Sequence, residues 1–321
     1  MGGAATITTV DALVDNSVQQ NGFSLNAEDI SGALTFDGSN EADGYFRIQG
    51  SDQADTITGG AKDDFIYADE TDTINGGNNN TVDRLSNANG DTVIFTAAVD
   101  SANLDDNDLQ NIETISVVDI GADGSEVYDF SVQSEDLFIV VTAQGAYTGV
   151  TLKGGDGADT MMLGDATDTI TASVKTSIDT LISYEVASTN GDVIDVTTAA
   201  IVANVGQTDK VVELGDVDGA SYTINDGVIY FIDEDVATGG DDTIIVIDNN
   251  DLANVIAAIE DIASDESLIV YFDDTTNGTT GSVDSTLVVS EHSGGTEAVI
   301  LVGVAGNTLV TSQADDAILI A

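Results

Sequence analysis

Apolar and polar positions alternate along most of this chain. Thr92-Val93-Ile94-Phe95, Leu137-Phe138-Ile139-Val140-Val141, Thr243-Ile244-Ile245-Val246-Ile247 and Ser285-Thr286-Leu287-Val288-Val289 are rich in β-branched and aromatic residues. Gly, Asn or Asp bounds such runs, and the pattern predicts strands. One stretch keeps a different period. Over 250–263, Leu252, Val255, Ile256, Ile259 and Ile262 recur at spacings of three and four, which places them on one face of a helix. Asp248, Asn249 or Asn250 is the expected N-cap. The fold class predicted is mainly β, with one helix.

A longer period lies over this alternation. The segment Phe46-Arg47-Ile48-Gln49-Gly50-Ser51-Asp52-Gln53-Ala54-Asp55-Thr56-Ile57 returns as Val150-Thr151-Leu152-Lys153-Gly154-Gly155-Asp156-Gly157-Ala158-Asp159-Thr160-Met161, 104 residues on. Asp72-Thr73-Ile74 matches Asp168-Thr169-Ile170, and Val82-Asp83-Arg84-Leu85-Ser86 matches Ile178-Asp179-Thr180-Leu181-Ile182, now at 96. Asn89-Gly90-Asp91 matches Asn190-Gly191-Asp192 at 101. The slip of eight residues approaches the spacing of the Asp-Thr-Ile units themselves. A solenoid tolerates such a loss because each coil touches only its neighbours, so the first copy is expected to hold one coil more. The predicted organisation is an N-terminal arm at 1–27, a first β-roll unit at 28–134, a second at 135–213, and a β-rich C-terminal domain with one helix at 214–321.

Charge changes the picture next. The chain carries 58 Asp+Glu against 6 Lys+Arg, a net −52, with no Cys, Pro or Trp and a single His among its 321 residues. Disulfides and cysteine metal sites are excluded. A surface of this sign repels nucleic acid and anionic lipid. No run of 18 or more apolar residues suggests a membrane span. Such charge often accompanies disorder, but 42% hydrophobic residues are enough for a core. The self-repulsion calls for cations, and carboxylate and carbonyl oxygens suit calcium.

The acids have a definite grammar. Gly154-Gly155-Asp156-Gly157-Ala158-Asp159-Thr160-Met161-Met162 fits Gly-Gly-x-Gly-x-Asp-x-apolar-x throughout. Gly59-Gly60-Ala61-Lys62-Asp63-Asp64-Phe65-Ile66-Tyr67 departs only at Lys62, and Gly50 to Thr58 at Ser51 and Gln53. The units at Ala68 and Leu163 keep Asp72 and Asp168 two residues before an Ile. Glycines with positive φ would aim turn carbonyls inward, and the Asp would add carboxylate oxygen. Stacked turns would then surround an ion, and the coil would be weakly ordered without it.

These units resemble the nonapeptide repeat of the RTX family, in which turns and short strands wind into a parallel β-roll with calcium between turns. The resemblance implies calcium ligands among Gly50, Asp52, Asp55, Gly59, Gly60, Asp63, Asp64, Asp69, Asp72 and Asp83. In the second copy it implies Gly154, Gly155, Asp156, Gly157, Asp159, Gly164, Asp165, Asp168 and Asp179. Asp83 and Asp179 follow the preceding acid at a longer spacing of eleven. About two to six ions are expected. They would cancel about 4 to 12 charges, so most of the −52 must be solvated surface.

The last hundred residues read as a hairpin turning at Asn225-Asp226-Gly227, the helix, and strands near Leu268, Ser285 and Glu297. Their order, with Gly303-Val304 before the acidic–apolar tail Ala314-Asp315-Asp316-Ala317-Ile318-Leu319-Ile320-Ala321, is similar to substrates of type I secretion such as RTX adhesins and bacterial surface-layer proteins. An ordinary last strand explains the tail equally. The start has no basic–apolar secretory signal. Export to the cell surface or medium without a cleaved leader is the expectation. No catalysis is expected: His292 lies in a turn-like Glu291-His292-Ser293-Gly294-Gly295 and His-Glu-x-x-His is missing. Arg47 and Arg84 are placed in structural roles. The expected function is a calcium-dependent structural protein that forms a homopolymer as a surface layer, filament or matrix. The alternative is an adhesin, or a carbohydrate- or ice-binding module, with cell-surface polysaccharide as a partner. Thr56/Thr58 and Thr169/Thr171 hint at threonine rows.

Overall fold

A computed structural model describes residues 3–10, 22–77, 90–119, 126–143, 149–172, 177–184, 191–196, 212–214, 217–225, 227–233, 243–244, 247–262, 266–273, 284–303, 309–312 and 317–320. The chain falls into two compact units, 1–168 and 169–321. Both are mainly β.

In the first unit the chain steps between two ladders of parallel strands. One holds Phe23–Asn26, Phe46–Gln49, Phe65–Ala68, Thr92–Phe95, Thr114–Asp119, Phe138–Ala143 and Thr160–Met162. Between them run Ala5–Thr8, Leu34–Asp37, Thr56–Thr58, Thr73–Asn75 and Leu109–Gln110, which pair in that order in a second ladder. Val127–Asp129 and Thr151–Lys153 pair separately. This is a parallel β-roll, each coil made of two strands and two turns.

Register explains why one apolar residue per strand suffices. Ile48, Ile66, Val93, Ile115, Ile139 and Met161 stand opposite one another along the first ladder. Phe36, Ile57, Ile74 and Leu109 do so along the second. All are buried, most of them completely. Phe36 and Phe46 close the first coils edge to face, with ring centroids 5.1 Å apart. Residues 1–27, read as an arm, contribute Ala5–Thr8 and Phe23–Asn26 to the roll.

The eight-residue slip is half a coil, not a whole one. Its counterpart is the strand Phe65–Ala68, which the second copy lacks. A coil needs two strands, so removing one moves everything before it to the other ladder. Phe46–Gln49 therefore lies in the ladder that holds Thr160–Met162, while its sequence match Thr151–Lys153 lies outside that ladder.

The second unit is built differently. Glu266–Phe272, Ser285–His292 and Gly295–Val302 form an antiparallel meander. Val217–Asn225 and Val228–Asp233 form the expected hairpin, with Asn225 opposite Val228 and Gly227 at φ 79°. Leu252, Val255, Ile256 and Ile259 of the helix Leu252–Ile262 pack with Leu268, Val270, Phe272, Leu287 and Val289 in one core. The Ile262 side chain lies outside the described residues. The first helical bond runs from Val255 N–H to Asp251 O, so the cap position falls one residue later than expected. Asp248 instead closes the turn before it, accepting from Asn250 N–H at 2.7 Å. Thr243–Ile244 is a strand, whereas 245–246 lie outside the described residues. The tail contributes Ala317–Ile320, which pairs with Leu309–Ser312 and with Val193–Asp195.

Replacing one residue of the apolar column tests this architecture. Ile66→Ala is expected to cost about 2–5 kcal/mol, whereas exposed Thr35→Ala should change stability by about 0.5 kcal/mol or less. Denaturant melts in calcium would compare them, and equal effects would contradict the packing described.

Candidate metal centre

The aspartate two residues before each column residue is buried, not displayed. Asp55, Asp64, Asp72, Asp159 and Asp168 are each at most 1% exposed. Each carboxylate ties two coils together. Asp64 Oδ2 accepts from Gly60 N–H in its own turn at 2.6 Å, and Oδ1 accepts from Phe46 N–H one coil back at 2.7 Å. Asp159 does the same with Gly155 and Leu137, and Asp168 with Gly164 and Val150. Asp55 takes Ser51 and Leu34, and Asp72 takes Asp69 and Asp55.

The series continues beyond the residues singled out in the sequence. Asp91 Oδ1 accepts from Asp64 N–H at 2.7 Å, and Glu113 Oε2 from Asp91 N–H at 2.7 Å. Asp91 and Asp192 are both fully buried. The signal was present, since both stand two residues before an apolar column position and belong to the matched Asn-Gly-Asp pair. Their lack of a full glycine turn hid them.

The glycines serve close approach. None of Gly50, Gly59, Gly60, Gly154, Gly155 and Gly157 adopts a positive φ, so the expected left-handed turn is corrected. A Cβ on Gly154 would lie 2.0 Å from Asp159 Oδ2, and one on Gly59 2.3 Å from Asp64 Oδ2. On Gly155 and Gly157 it would meet Gln133 O and Glu135 O at 2.1 Å. The first glycine makes room for the carboxylate and the others for the carbonyls of the neighbouring turn.

The remaining acids take other places. Asp52, Asp156 and Asp165 are exposed in the turns, and Asp63 and Asp69 are half-buried. Asp69 Oδ1 accepts from Thr71 N–H and Oγ1. Asp179 is fully buried in the strand Asp179–Ser183 of the second unit. Asp83 lies outside the described residues.

Burial has an electrostatic consequence. Desolvation pushes the Asp64 and Asp72 carboxyls up to about 7, against the pull of their backbone donors. It pushes Asp91 up to about 9, helped by the charges of Asp64, Glu113 and Asp63. Some oxygens are left wanting. Asp91 Oδ2, Glu126 Oε2 and Gln133 Oε1 are buried without a hydrogen-bond partner. Acceptor oxygens so placed suit a hard cation, which supplies the charge that no donor supplies. Among the described residues no three Asp, Glu or His side chains converge on a point. Backbone carbonyls must therefore provide much of any calcium's coordination, and the stacked turns bring them close.

Comparison with known families supplies the decisive observation. A family model described as the RTX calcium-binding nonapeptide repeat, in four copies, matches residues 49–82 and 150–172. The chain carries RTX repeats. Such repeats bind calcium and are typical of secreted proteins. No curated protein and no solved structure matches the chain. Among the described residues no helix is long and apolar enough to cross a membrane.

A carboxyl whose folded pKa exceeds its unfolded value binds its proton more tightly when folded. The stability it contributes is complete below the unfolded value of 3.8 and is lost as pH rises through about 7 for Asp64 and Asp72 and about 9 for Asp91. The chelated protein should therefore melt at falling temperature from about pH 5 to about pH 9, with calcium restoring the loss. Asp91→Asn should flatten the chelated profile and weaken the calcium response. A profile in chelator that is flat in the parent chain would contradict the buried ladder.

Proposed function

We propose that this is a secreted structural protein that folds on calcium and then self-assembles into a surface layer, filament or extracellular matrix. Its route out of the cell is type I secretion, as for the surface-layer proteins and adhesins that its C-terminal region resembles. The observation that carries the reading is the end of the roll. Ala5–Thr8 and Phe23–Asn26 are the outermost strands of their two ladders, and an outer edge offers backbone groups to the strand of another chain. The charge of −52 keeps chains apart until calcium reaches the turns. The absence of proline means that no prolyl isomerisation delays folding after export.

A second reading, a binding module such as an adhesin or an ice- or carbohydrate-binding domain, has one observation in its favour. Thr6, Thr35, Thr56 and Thr73 stand opposite one another on four successive strands, all exposed. They form a regular hydroxyl row at the strand spacing of about 4.8 Å. The reading assigns no catalytic role. His292, the single His, sits at a hairpin end beside Glu297 Oε1 at 3.4 Å.

Light scattering and electron microscopy through a cycle of millimolar calcium and chelator test the assembly. Particles should appear with calcium and disperse on chelation. A protein that stays folded and monomeric throughout would defeat the reading.

A further inference from the structure

The outward faces of the two ladders in the first unit differ. On the second ladder the outward positions are hydrophilic, as in the row Thr6, Thr35, Thr56 and Thr73. On the first ladder Phe65, Tyr67, Ile94, Phe138, Val140 and Met162 point away from the buried column and lie partly open to water, Met162 at 39% exposure. Two outward rows run across the register, from Ser24 to Thr160 and from Asn26 to Met162, and neither holds an Asp or Glu. We propose that this acid-free face packs against the same face of a second copy of the chain. The inference adds a lateral, face-to-face contact to the self-assembly reading and rests on that reading.

Charge selects the occupant. The chain carries −52, so two copies repel wherever acids face acids. The acids lie in turns at the ends of these strands, Asp63, Asp69 and Asp136 among them, and leave a neutral strip between. There two copies approach without setting carboxylates opposite one another. A basic partner would gain more from the acidic turns than from this strip. Arg47, the charged group of the two rows, lies over the Tyr67 ring at 5.0 Å from its centroid and donates to Tyr67 Oη. Phe, Tyr, Met and Arg are enriched, and Asp and Glu depleted, where proteins meet proteins. An apolar patch rimmed by polar residues marks such a contact.

The strip is also self-complementary. Phe65 and Phe138 occupy one row, with Thr92 and Thr114 between them. A two-fold axis along the strands, midway between Thr92–Phe95 and Thr114–Asp119, sets Phe65 of each copy against Phe138 of the other. At a strand spacing of about 4.8 Å each ring lies about 7 Å from that axis. Ile94 then faces Ser116. Packed sheets stand about 10 Å apart, a gap that side chains of this size fill. The strip crosses seven strands, about 29 Å, but is only two rows wide. It buries less than the about 800 Å² per partner of a standard interface. The contact is therefore weak in a pair and gains strength in an array, with the edge contacts beside it.

The chain has no Cys, so a single introduced thiol reports the contact. Ser116→Cys, treated in calcium with a short bismaleimide, should give a covalent dimer, whereas Thr35→Cys on the second ladder should not. The yield should rise with sodium chloride, which screens the acidic turns and leaves the apolar contact. Phe65→Glu in the Ser116→Cys chain, or Thr92→Glu should the first unfold by circular dichroism, should lower the yield at least about tenfold. The proposal is overturned if both thiols crosslink alike, if the added glutamate has no effect in a folded chain, or if salt lowers the yield. Retention on cellulose without crosslinking gives the face to a neutral glycan and overturns it too. A chain that forms calcium-dependent particles without the Ser116→Cys dimer defeats this proposal alone. One that stays monomeric in calcium defeats the assembly reading together with it.

Discussion

Everything in the roll depends on a carboxylate buried between two turns. Asp64 and its equivalents accept one N–H from their own turn and one from the coil before. A strand ladder alone fixes spacing along the roll but leaves the turns with unsatisfied donors. The aspartate satisfies two of them and sets the distance between neighbouring turns. The repeat follows from that one contact. A glycine precedes Asp55, Asp64 and Asp159 where a Cβ would collide with the carboxylate, and an apolar residue follows two positions later because the strand must turn its next inward side chain into the column.

The same contact creates the need for a cation. Several carboxylates enter a dry interior with few positive groups to meet them. Backbone donors offset part of the desolvation cost, but burial still raises Asp64, Asp72 and Asp91 well above the ordinary carboxylate range. Proton and calcium thus compete to neutralise one set of oxygens. A calcium ion bound there would take the proton's place in neutralising them. The roll is then held by burial of a narrow apolar column and by ions between its turns. The second unit adds another source of stability. Its helix and antiparallel strands share a continuous apolar core, beside the buried Asp179 and Asp192.

Local features were legible because they are written within nine residues. The Asp-x-apolar unit placed Asp55, Asp64, Asp159 and Asp168 in the turns, and the alternation placed Thr92–Phe95 as a strand from end to end. The helical face of Leu252, Val255, Ile256 and Ile259 was equally local. Asp91 and Asp192 escaped notice because their turns depart from the glycine pattern, although their buried positions are the same. Asp52, Asp156 and Asp165 have the right residue type in the right turn but point outward. Composition cannot separate the two kinds of acid, since only the stacking of the next coil decides which side of a turn is dry.

The sequence by itself determined the unit: a glycine turn, an aspartate, and one inward apolar residue, repeated in two copies. Only the tertiary structure decided how the units are counted. One extra strand, Phe65–Ala68, shifts the first copy by half a coil, so matched residues of the two copies fall in different ladders. The same winding carries Arg47 onto Tyr67, 20 residues away, and opens a cleft beside them. The physical reason is that a roll's neighbours are one coil apart in space but a variable number of residues apart in the chain. Local chemistry fixes each turn, and the sum of all preceding turns fixes what it faces.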